Sequence, residues 1–205
     1  MRGARSCHTY KAARLWPYKL VAHLLKKAVA LGVNLQTFTP VSSVTTANQG
    51  SNEVRWTVKT PRGTIETDKV VYATNGYTSA LVPEMKDKIV PVRGIVARLA
   101  GDMVPKMTDS YMMRFSDYEY DYMIPRPDGS IILGGGRSDY YQDLHAWYDV
   151  VDDSKLIESA RGYFDGYMQR HFIEWETSNI RTEELWTGSK CPFARLEFEL
   201  SFYGS

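Results

Sequence analysis

Residues 120–136 read YDYMIPRPDGSIILGGG and contain the clearest fold signal in the chain. Two runs rich in apolar and aromatic residues stand on either side of Asp128-Gly129, a dipeptide that favours the tight turn of a β-hairpin. The stretch therefore predicts two antiparallel strands joined at residues 128–129.

Further strand signals lie N-terminal to this hairpin. The stretch 88–100, KIVPVRGIVARLA, predicts a strand in which Pro91 and Gly94 mark an edge, a bulge or a close approach. Residues 53–60 and 63–74 flank a Thr-Pro-Arg-Gly turn and predict a second hairpin, whose second strand runs to Thr74. Residues 33–44, VNLQTFTPVSSV, predict one or two more strands.

Two amphipathic helices are predicted. The first begins at Pro17 and ends before Gly32, because proline suits the first helical turn and glycine the position after the last. The second runs from Asp152 to about Arg170, with Asp152 and Asp153 as caps. Its predicted buried face consists of Leu156, Ile157, Ala160, Phe164, Tyr167 and Met168. Strands outnumber helices, so the order of elements predicts an α+β fold with a mainly antiparallel sheet.

Composition sets the broad class of the protein. The 205 residues allow one generous domain or two small ones, and the net charge of +1 gives no support for a nucleic-acid partner or a membrane surface. No apolar stretch is long enough to span a bilayer. Cys7 and Cys191 are far apart, which predicts free thiols in a reducing compartment. We expect a cytoplasmic protein, with a mitochondrial or peroxisomal address left open.

Several catalytic classes lack their motifs. The four histidines are scattered and no metal-ligand spacing occurs, so we expect no metal site. There is no Gly-x-Ser-x-Gly elbow for a hydrolase nucleophile. Gly134–Gly136 could form a phosphate loop, but Arg137-Ser138 follow where a P-loop has Lys-Ser/Thr. A strand end packed too closely for side chains is the preferred interpretation, and no catalytic residue is assigned.

The strand at residues 120–126 is a candidate binding surface. Alternation places Tyr120, Tyr122, Ile124 and Arg126 on one face, and Asp121, Met123 and Pro125 on the other. Phenols beside a guanidinium could hold a small carboxylate, with Arg126 pairing in bidentate fashion. The alternative is a half-buried strand whose tyrosine rings lie in the core with their hydroxyls in water.

Residues 70–79, VVYATNGYTS, form a second candidate. Val70 and Val71 predict a buried strand, and Ala73 and Gly76 leave room for a ligand beyond its carboxyl end. The alternative is a strand followed by an Asx-type turn.

In order, LWPYKLV, TFTPVSSV, VVYATNGYTS, IVPVRG, YDYMIPRPDGSIILGGG and ELWTG resemble the D-amino-acid oxidase/glycine oxidase superfamily of FAD-dependent oxidoreductases, most closely its fungal members. The resemblance runs from about residue 12 to 188. It implies a partial FAD-binding, Rossmann-like domain at residues 1–92, an antiparallel substrate domain at 93–185 and a divergent tail at 186–205.

The resemblance also implies residue roles and a reaction. Ala73, Thr74, Asn75 and Gly76 would pass close to the ADP portion of FAD, and Val41 would meet the adenine through its backbone. Tyr122, and with it Arg126, would face the substrate. The reaction implied is hydride transfer from an amine or amino acid to the flavin.

Two departures from the family limit this expectation. The family begins with a Gly-x-Gly-x-x-Gly unit that holds the pyrophosphate, and this sequence has none. The segment after Trp186-Thr187-Gly188 also does not match the family's glycine-bearing segment. We therefore expect a chain truncated at both ends relative to the family, with weak or absent FAD binding and its own activity left open. The alternative is a non-catalytic fragment that binds a small ligand or another protein. An exposed sheet edge could then cause self-association.

Overall fold

The structure is a computed structural model of the chain and describes residues 1–47, 55–102, 105–117 and 119–190. Its strands form two antiparallel sheets, one of three strands and one of five. Short helices and 3-10 turns accompany the larger sheet. This mixed architecture with antiparallel sheets confirms the predicted fold class.

Helix α1, Pro17–Ala30, confirms the first predicted helix. Pro17 occupies its first turn, and Gly32 beyond its end has a φ of 96° that favours glycine. No residue of α1 is buried. Its apolar stripe is 43–54% exposed at five positions: Leu20, Val21, Leu24, Leu25 and Val29.

The three-stranded sheet consists of β1 (Ser43–Ala47), β2 (Arg55–Thr60) and β3 (Gly63–Thr67) in that order. Thr60 pairs with Gly63, which confirms the predicted hairpin turn. The strand predicted at residues 33–44 is wrong for most of its length, since β1 begins only at Ser43.

The second strand of this hairpin was predicted to reach Thr74 and instead ends at Thr67. Thr67 pairs with Trp56, and β2 begins one residue before it at Arg55. This register places Asp68 opposite Arg55, so residues 69–74 extend past the described end of β2. Val71, predicted to be buried, is 89% exposed.

The five-stranded sheet has the order β5-β6-β7-β4-β8. These strands are β4 (Val92–Ala100), β5 (Tyr111–Arg114), β6 (Tyr120–Pro125), β7 (Ile131–Gly134) and β8 (Arg181–Lys190). The hairpin predicted at residues 120–136 is confirmed as β6 and β7, and the strand predicted at 88–100 is confirmed as β4. The predicted boundaries at 92/93 and 185/186 fall inside β4 and β8.

The two faces of this sheet differ in burial. The inner face carries the core, with Ile95, Ala97 and Leu99 of β4 each at most 2% exposed. The outer face carries the alternate residues, including Gly94 and Val96 of β4 and Tyr122 of β6, and it is only partly buried. The predicted alternation of residues 120–126 is thereby confirmed, with Asp121, Met123 and Pro125 buried.

The second predicted helix is wrong as a continuous element. The chain instead forms a 3-10 turn at Glu158–Phe164 and a short helix, Tyr167–His171. Gly166 separates them with a left-handed φ of 63°, which an α-helix cannot accommodate. The predicted cap is also wrong, because the Asp152 carboxylate accepts hydrogen bonds from the Ser154 N–H and hydroxyl in a tight turn.

The burial predicted for this segment is nevertheless mostly confirmed. Leu156 is half-buried, whereas the other five predicted residues are buried against the inner face: Ile157, Ala160, Phe164, Tyr167 and Met168. Among the described residues, no helix has the length and hydropathy needed to cross a membrane.

Candidate functional site

Three consecutive glycines, Gly134–Gly136, stand at the end of β7. The close packing around them explains why these positions have no side chain. A Cβ on Gly134 would overlap the Tyr122 phenol, and one on Gly135 would overlap the Asp121 carboxylate. A Cβ on Gly136 would lie 2.9 Å from the Tyr163 ring, and Gly136 has a left-handed φ of 69°. This confirms the strand-end packing preferred over a phosphate loop.

Asp121 is completely buried beneath this turn. Its carboxylate accepts hydrogen bonds from the Tyr163 hydroxyl at 2.6 Å, the Tyr167 hydroxyl at 2.7 Å and the Gly136 N–H at 3.1 Å. Burial, followed by the hydrogen bond to Asp121, raises the pKa of both tyrosines. The network ties β6 to the Gly134–Gly136 turn and to the segment that covers the inner face.

Tyr122 lies at the centre of the outer face. The strand register places it in one row that crosses all five strands, formed by Met112, Tyr122, Gly134, Val96 and Trp186. Burial, and to a lesser extent the neighbouring Tyr120, raises the pKa of the Tyr122 phenol. Tyr122 is therefore a neutral hydrogen-bond donor near neutral pH.

Next to this row, the outer face of the sheet has a patch of bare backbone formed by two glycines, which we call the Gly94–Gly188 floor. Gly94 of β4 pairs directly with Gly188 of β8, and a Cβ added to either would meet nothing within 4 Å. Both residues are two positions from Val96 and Trp186 on the same face. This floor, together with the Gly134–Gly136 turn, defines what we call the glycine end of the sheet, where β7 and β8 end and β4 and β6 begin.

A third phenol, that of Tyr140, lies within electrostatic range of Tyr122. Tyr140 is 7% exposed, and burial raises its pKa with a smaller contribution from Tyr122. The Arg137 guanidinium acts in the opposite direction on the same phenol. Tyr120, Tyr122 and Tyr140 thus lie within electrostatic range of one another, with Arg137 beside them.

Arg126 lies toward the opposite end of β6. It is four residues from Tyr122, which is about 13 Å along an extended strand at roughly 3.3 Å per residue. Its guanidinium carbon is 4.7 Å from the centre of the Trp16 ring, and the Lys19 ammonium also lies over that ring at 4.6 Å. The structure therefore does not bring Arg126 to the phenols.

The predicted turn at residues 73–76 lies on the surface. Ala73, Thr74 and Asn75 are exposed and Gly76 is buried, and Asn75 adopts a left-handed φ of 48°. The Thr78 hydroxyl donates to the Asn75 carbonyl at 2.8 Å and lies 2.8 Å from the Thr74 hydroxyl. These contacts fix the turn just before the short helix α2, Thr78–Leu81.

This turn reaches the five-stranded sheet at its glycine end. The 3-10 turn Asn75–Tyr77 packs against β8. The Tyr77 hydroxyl donates to the Val151 carbonyl at 3.4 Å, and the Ser189 hydroxyl donates to the same carbonyl at 3.3 Å. Residues 75–77 therefore meet the five-stranded sheet near Ser189, the neighbour of Gly188.

Val41 lies in an irregular segment before β1 and is 37% exposed. The next residue, Ser42, donates its N–H to the Lys59 carbonyl of β2 at 2.9 Å. Val41 is thus held beside the three-stranded sheet, whereas the 73–77 turn is held against β8.

A buried arginine fixes the loop that surrounds this end of the sheet. Arg93 is 8% exposed and donates to the Ala146 carbonyl through both Nε and Nη2, at 3.1 and 2.6 Å. Its Nη1 donates to the carbonyls of Asp152 at 2.8 Å and Lys155 at 2.9 Å. Arg93 belongs to the Val-Arg-Gly sequence where the chain enters β4, so one side chain orders both the entry strand and the loop.

Comparison with known proteins identifies the family. A family model described as DAO, FAD dependent oxidoreductase, matches residues 2–195. The chain belongs to this family. No curated protein sequence matches it.

Solved structures share the fold of this DAO-family chain. Glycine oxidase from Geobacillus kaustophilus aligns with a TM-score of 0.62 and 17% identity over 85% of this chain and 42% of its own. L-proline dehydrogenase from P. horikoshii aligns with a TM-score of 0.61 and 22% identity over 84% and 43%. NikD, an amino acid oxidase essential for nikkomycin biosynthesis, aligns with a TM-score of 0.53 and 17% identity over 85% and 44%. This DAO-family chain therefore spans less than half the length of each.

The chain's own residues fit part of the FAD that the DAO family uses. The exposed, small residues of the 73–76 turn permit close approach by a nucleotide, and the Gly94–Gly188 floor permits close approach by a flat ring. The pyrophosphate requires several backbone N–H groups at a glycine-rich helix start. No Gly-x-Gly-x-x-Gly turn that would supply them occurs in the sequence.

Sequence reasoning missed three residues of this site. Alternation places Asp121 on the face opposite Tyr122, but nothing in the sequence indicates its two phenol partners. Arg93 is part of the IVPVRG motif, but no local pattern gives it a role. Arg137 follows the triple glycine and precedes the aromatic stretch 139–149, DYYQDLHAWYD, and that juxtaposition was its only signal. The described residues contain no cluster of metal-ligating side chains.

Proposed function

We propose that this chain carries the substrate domain of an FAD-dependent oxidoreductase that oxidises an amine or an amino acid. The observation that carries the proposal is the Gly94–Gly188 floor beside Tyr122, at the end of the sheet that meets the 73–77 turn. Family membership supplies the cofactor class, and the floor supplies a surface that a flat ring and a small substrate could share.

The side chains around the floor suit such a pair of ligands. Val96 and Trp186 offer apolar and aromatic surface in the row next to the glycines, and Tyr122 offers a neutral phenol. FAD, when bound, accepts a hydride from the carbon next to the substrate nitrogen. The protein's part is to orient the substrate, to exclude water and to donate hydrogen bonds, and Tyr122 is the donor that we assign to the substrate.

The remaining predicted residues are assigned by position. Ala73, Thr74, Asn75 and Gly76 would contact the ADP portion of FAD, and Val41 would contact the adenine through its backbone. Arg126 would act only on a substrate long enough to extend from Tyr122 toward Trp16, given their separation along β6. The domain boundaries at residues 92/93 and 185/186 remain part of the proposal, together with a soluble, cytoplasmic location.

We further propose that the chain by itself holds FAD weakly. Each charge-assisted hydrogen bond that the absent pyrophosphate turn would supply is worth roughly 1.5–3 kcal/mol, so several of them account for orders of magnitude in affinity. The purified chain should therefore be colourless. A yellow preparation with a flavin absorbance band would contradict this part of the proposal.

A flavin fluorescence titration tests the assignment. FAD is kept at a low, fixed concentration while the protein concentration is raised, and quenching of the flavin emission is measured. We expect weak, saturable quenching that Gly188→Leu abolishes, because the new side chain would project from the floor at a position where a Cβ meets nothing within 4 Å. Gly162→Leu is the matched control, since a Cβ there also meets nothing within 4 Å and the residue lies outside the sheet.

The absence of quenching, or equal quenching by wild type and Gly188→Leu, would contradict the assignment. It would favour the second candidate, a non-catalytic module that binds another chain. One observation supports that candidate: five large apolar residues of α1 are 43–54% exposed on one stripe. Sedimentation velocity tests it, since self-association should depend on concentration and weaken in Leu24→Glu, while Lys26→Glu on the same helix should leave it unchanged.

A further inference from the structure

We propose that Arg137, held on the rings of Tyr141 and Trp147, forms a binding site for a small carboxylate at the glycine end of the sheet. The ligand is either the carboxylate of the substrate, in which case the proposal rests on the function proposed above, or a free carboxylic acid. The two sources share one chemistry, a planar carboxylate that accepts two parallel hydrogen bonds.

The flat face of the Arg137 guanidinium packs against two aromatic rings. Its central carbon lies 4.5 Å from the Tyr141 ring centre and 5.2 Å from that of Trp147. The two rings are themselves stacked, with an interplanar angle of 24° and centroids 5.5 Å apart. The Trp147 indole N–H donates to the Tyr141 carbonyl at 3.3 Å, which fixes the indole relative to Tyr141. The two-ring surface under Arg137 is therefore formed by the protein alone, without a ligand.

The edge of the guanidinium remains available. Arg137 is half-buried, yet within the described residues its side chain makes ring contacts only, with no hydrogen bond and no ion pair. Stacking uses the π-face and leaves the N–H donors, which lie in the plane, directed outward. The in-plane N–H donors of this half-buried cation are therefore available to an anion, and a carboxylate matches their fork geometry.

The surroundings favour a small carboxylate. The Tyr140 phenol lies within electrostatic range of both the Arg137 guanidinium and Tyr122, so a phenol lies near the cation. Two acidic side chains of this region have hydrogen-bond partners of their own: Asp121 accepts from two tyrosines, and Asp139 accepts from the Ser138 hydroxyl at 3.1 Å. These carboxylates disfavour a multiply charged anion such as phosphate more than a singly charged one.

Arg137 also differs from Arg126 in where it can act. Arg126 lies over Trp16 near the opposite end of β6, whereas Arg137 lies three residues beyond Gly134, the cross-strand partner of Tyr122. A molecule that contacts Tyr122 over the glycine floor would have Arg137 at the same end of the sheet. Arg137 is thus the better-placed guanidinium for a short amino acid.

Nuclear magnetic resonance of the arginine side-chain Nε–H groups tests the site without any flavin. The full chain, labelled with ¹⁵N-arginine, is titrated with propionate, alanine and ethylamine, and the Arg137 signal is assigned by its loss in Arg137→Lys. We expect saturable shifts of that signal with propionate and alanine and none with ethylamine. Unchanged Arg137 signals with propionate, or equal shifts with ethylamine, would overturn the proposal.

Variants separate the site from a general charge effect. Arg137→Lys keeps the charge but loses the planar fork, so the propionate affinity, followed by saturation-transfer difference, should fall about tenfold. Tyr141→Leu keeps Arg137 but removes one of the two rings against which its guanidinium packs, and should weaken propionate binding severalfold. Arg161→Lys, at an exposed arginine paired with Glu158, is the control and should bind like wild type. Wild-type affinity in both Arg137→Lys and Tyr141→Leu would overturn the proposal.

The ligand series also distinguishes the two sources. Alanine binding at least as tightly as propionate is expected of a substrate site, because the ammonium group adds contacts. Propionate binding without alanine binding supports a carboxylate site and overturns its assignment to the substrate. Shifts at Arg137 in a protein that fails to quench FAD would leave this site intact and contradict the proposed function alone.

Discussion

The phenol end of Tyr122 occupies the space in which a side chain on Gly134 would lie. The two residues are cross-strand partners in the hairpin of β6 and β7, so the glycine is the reason that the ring can lie flat across the outer face. The position of Tyr122 therefore depends on residue 134 having no Cβ.

Gly134→Ala should accordingly destabilise the protein by about 1–3 kcal/mol, the usual cost of adding a carbon atom at a closely packed position. Gly94→Ala is the matched control, because a Cβ there meets nothing within 4 Å in the same sheet. The free energy of unfolding, measured by urea denaturation, should fall in the first variant and stay within about 0.5 kcal/mol of wild type in the second. Equal effects would mean that Tyr122 does not occupy this space.

Asp121→Asn should destabilise the fold more than Tyr167→Phe. The carboxylate accepts from two phenols and one backbone N–H, and an amide can offer only one oxygen to them. At least one phenol then loses its acceptor, and the NH₂ group faces a donor, at a cost of roughly 2–4 kcal/mol. Tyr167→Phe removes one donor and should cost about 1 kcal/mol. Urea denaturation measures both, and the reverse ranking would contradict the network.

The same network predicts that stability falls at alkaline pH. Burial and the hydrogen bond to Asp121 raise the pKa of Tyr167 above its ordinary value of 10.0. Above about pH 10 the unfolded chain loses this proton while the folded chain keeps it, so the free energy of unfolding falls by up to ~1.4 kcal/mol per pH unit for this group. Its contribution is complete below pH 10. Denaturation midpoints between about pH 9 and 11 should decline less steeply in Tyr167→Phe. A parallel decline would show that Tyr167 ionises normally in the folded state.

Arg93→Lys should loosen the loop at residues 146–155. The guanidinium spans three carbonyl oxygens on this loop, and a single ammonium group cannot reach all of them. We expect a loss of about 2–4 kcal/mol in unfolding free energy and faster proteolysis within the loop. Arg161→Lys, at an exposed ion pair, should leave stability essentially unchanged. Unaltered proteolysis of the loop in Arg93→Lys would contradict the role assigned to this side chain.

The parts of the fold that local signals determine were predictable from the sequence. Asp128-Gly129 and Thr60–Gly63 encode their turns directly, and the alternation beside them assigns the faces of β6. The helix predicted at residues 152–170 does not form as one element. Its apolar spacing correctly identifies the buried residues, but the left-handed backbone of Gly166 interrupts the helix. The strand predicted at residues 69–74 does not form. Pairing into a sheet depends on a neighbouring segment, and the local sequence does not identify that segment.

The site was predictable only where one strand contains it. Alternation correctly places Tyr122 on the outer face of β6, whereas Arg126 lies one residue beyond the end of that strand. Arg137 belongs to the site through its contacts with Tyr141 and Trp147, which are four and ten residues farther along the chain. The Asp121 network joins residues more than forty positions apart. Such contacts depend on how the segments pack, and no local pattern encodes them.

Photolabelling tests most directly the claim that the outer face at the glycine end meets the flavin ring. The chain is irradiated with an FAD analogue that carries an azide on the isoalloxazine ring, and labelled peptides are mapped by mass spectrometry, with excess FAD as the competitor. The account predicts label in peptides containing Tyr122, Val96 or Trp186 that FAD suppresses. Label confined to α1 or to the three-stranded sheet, or label that FAD does not suppress, would contradict it.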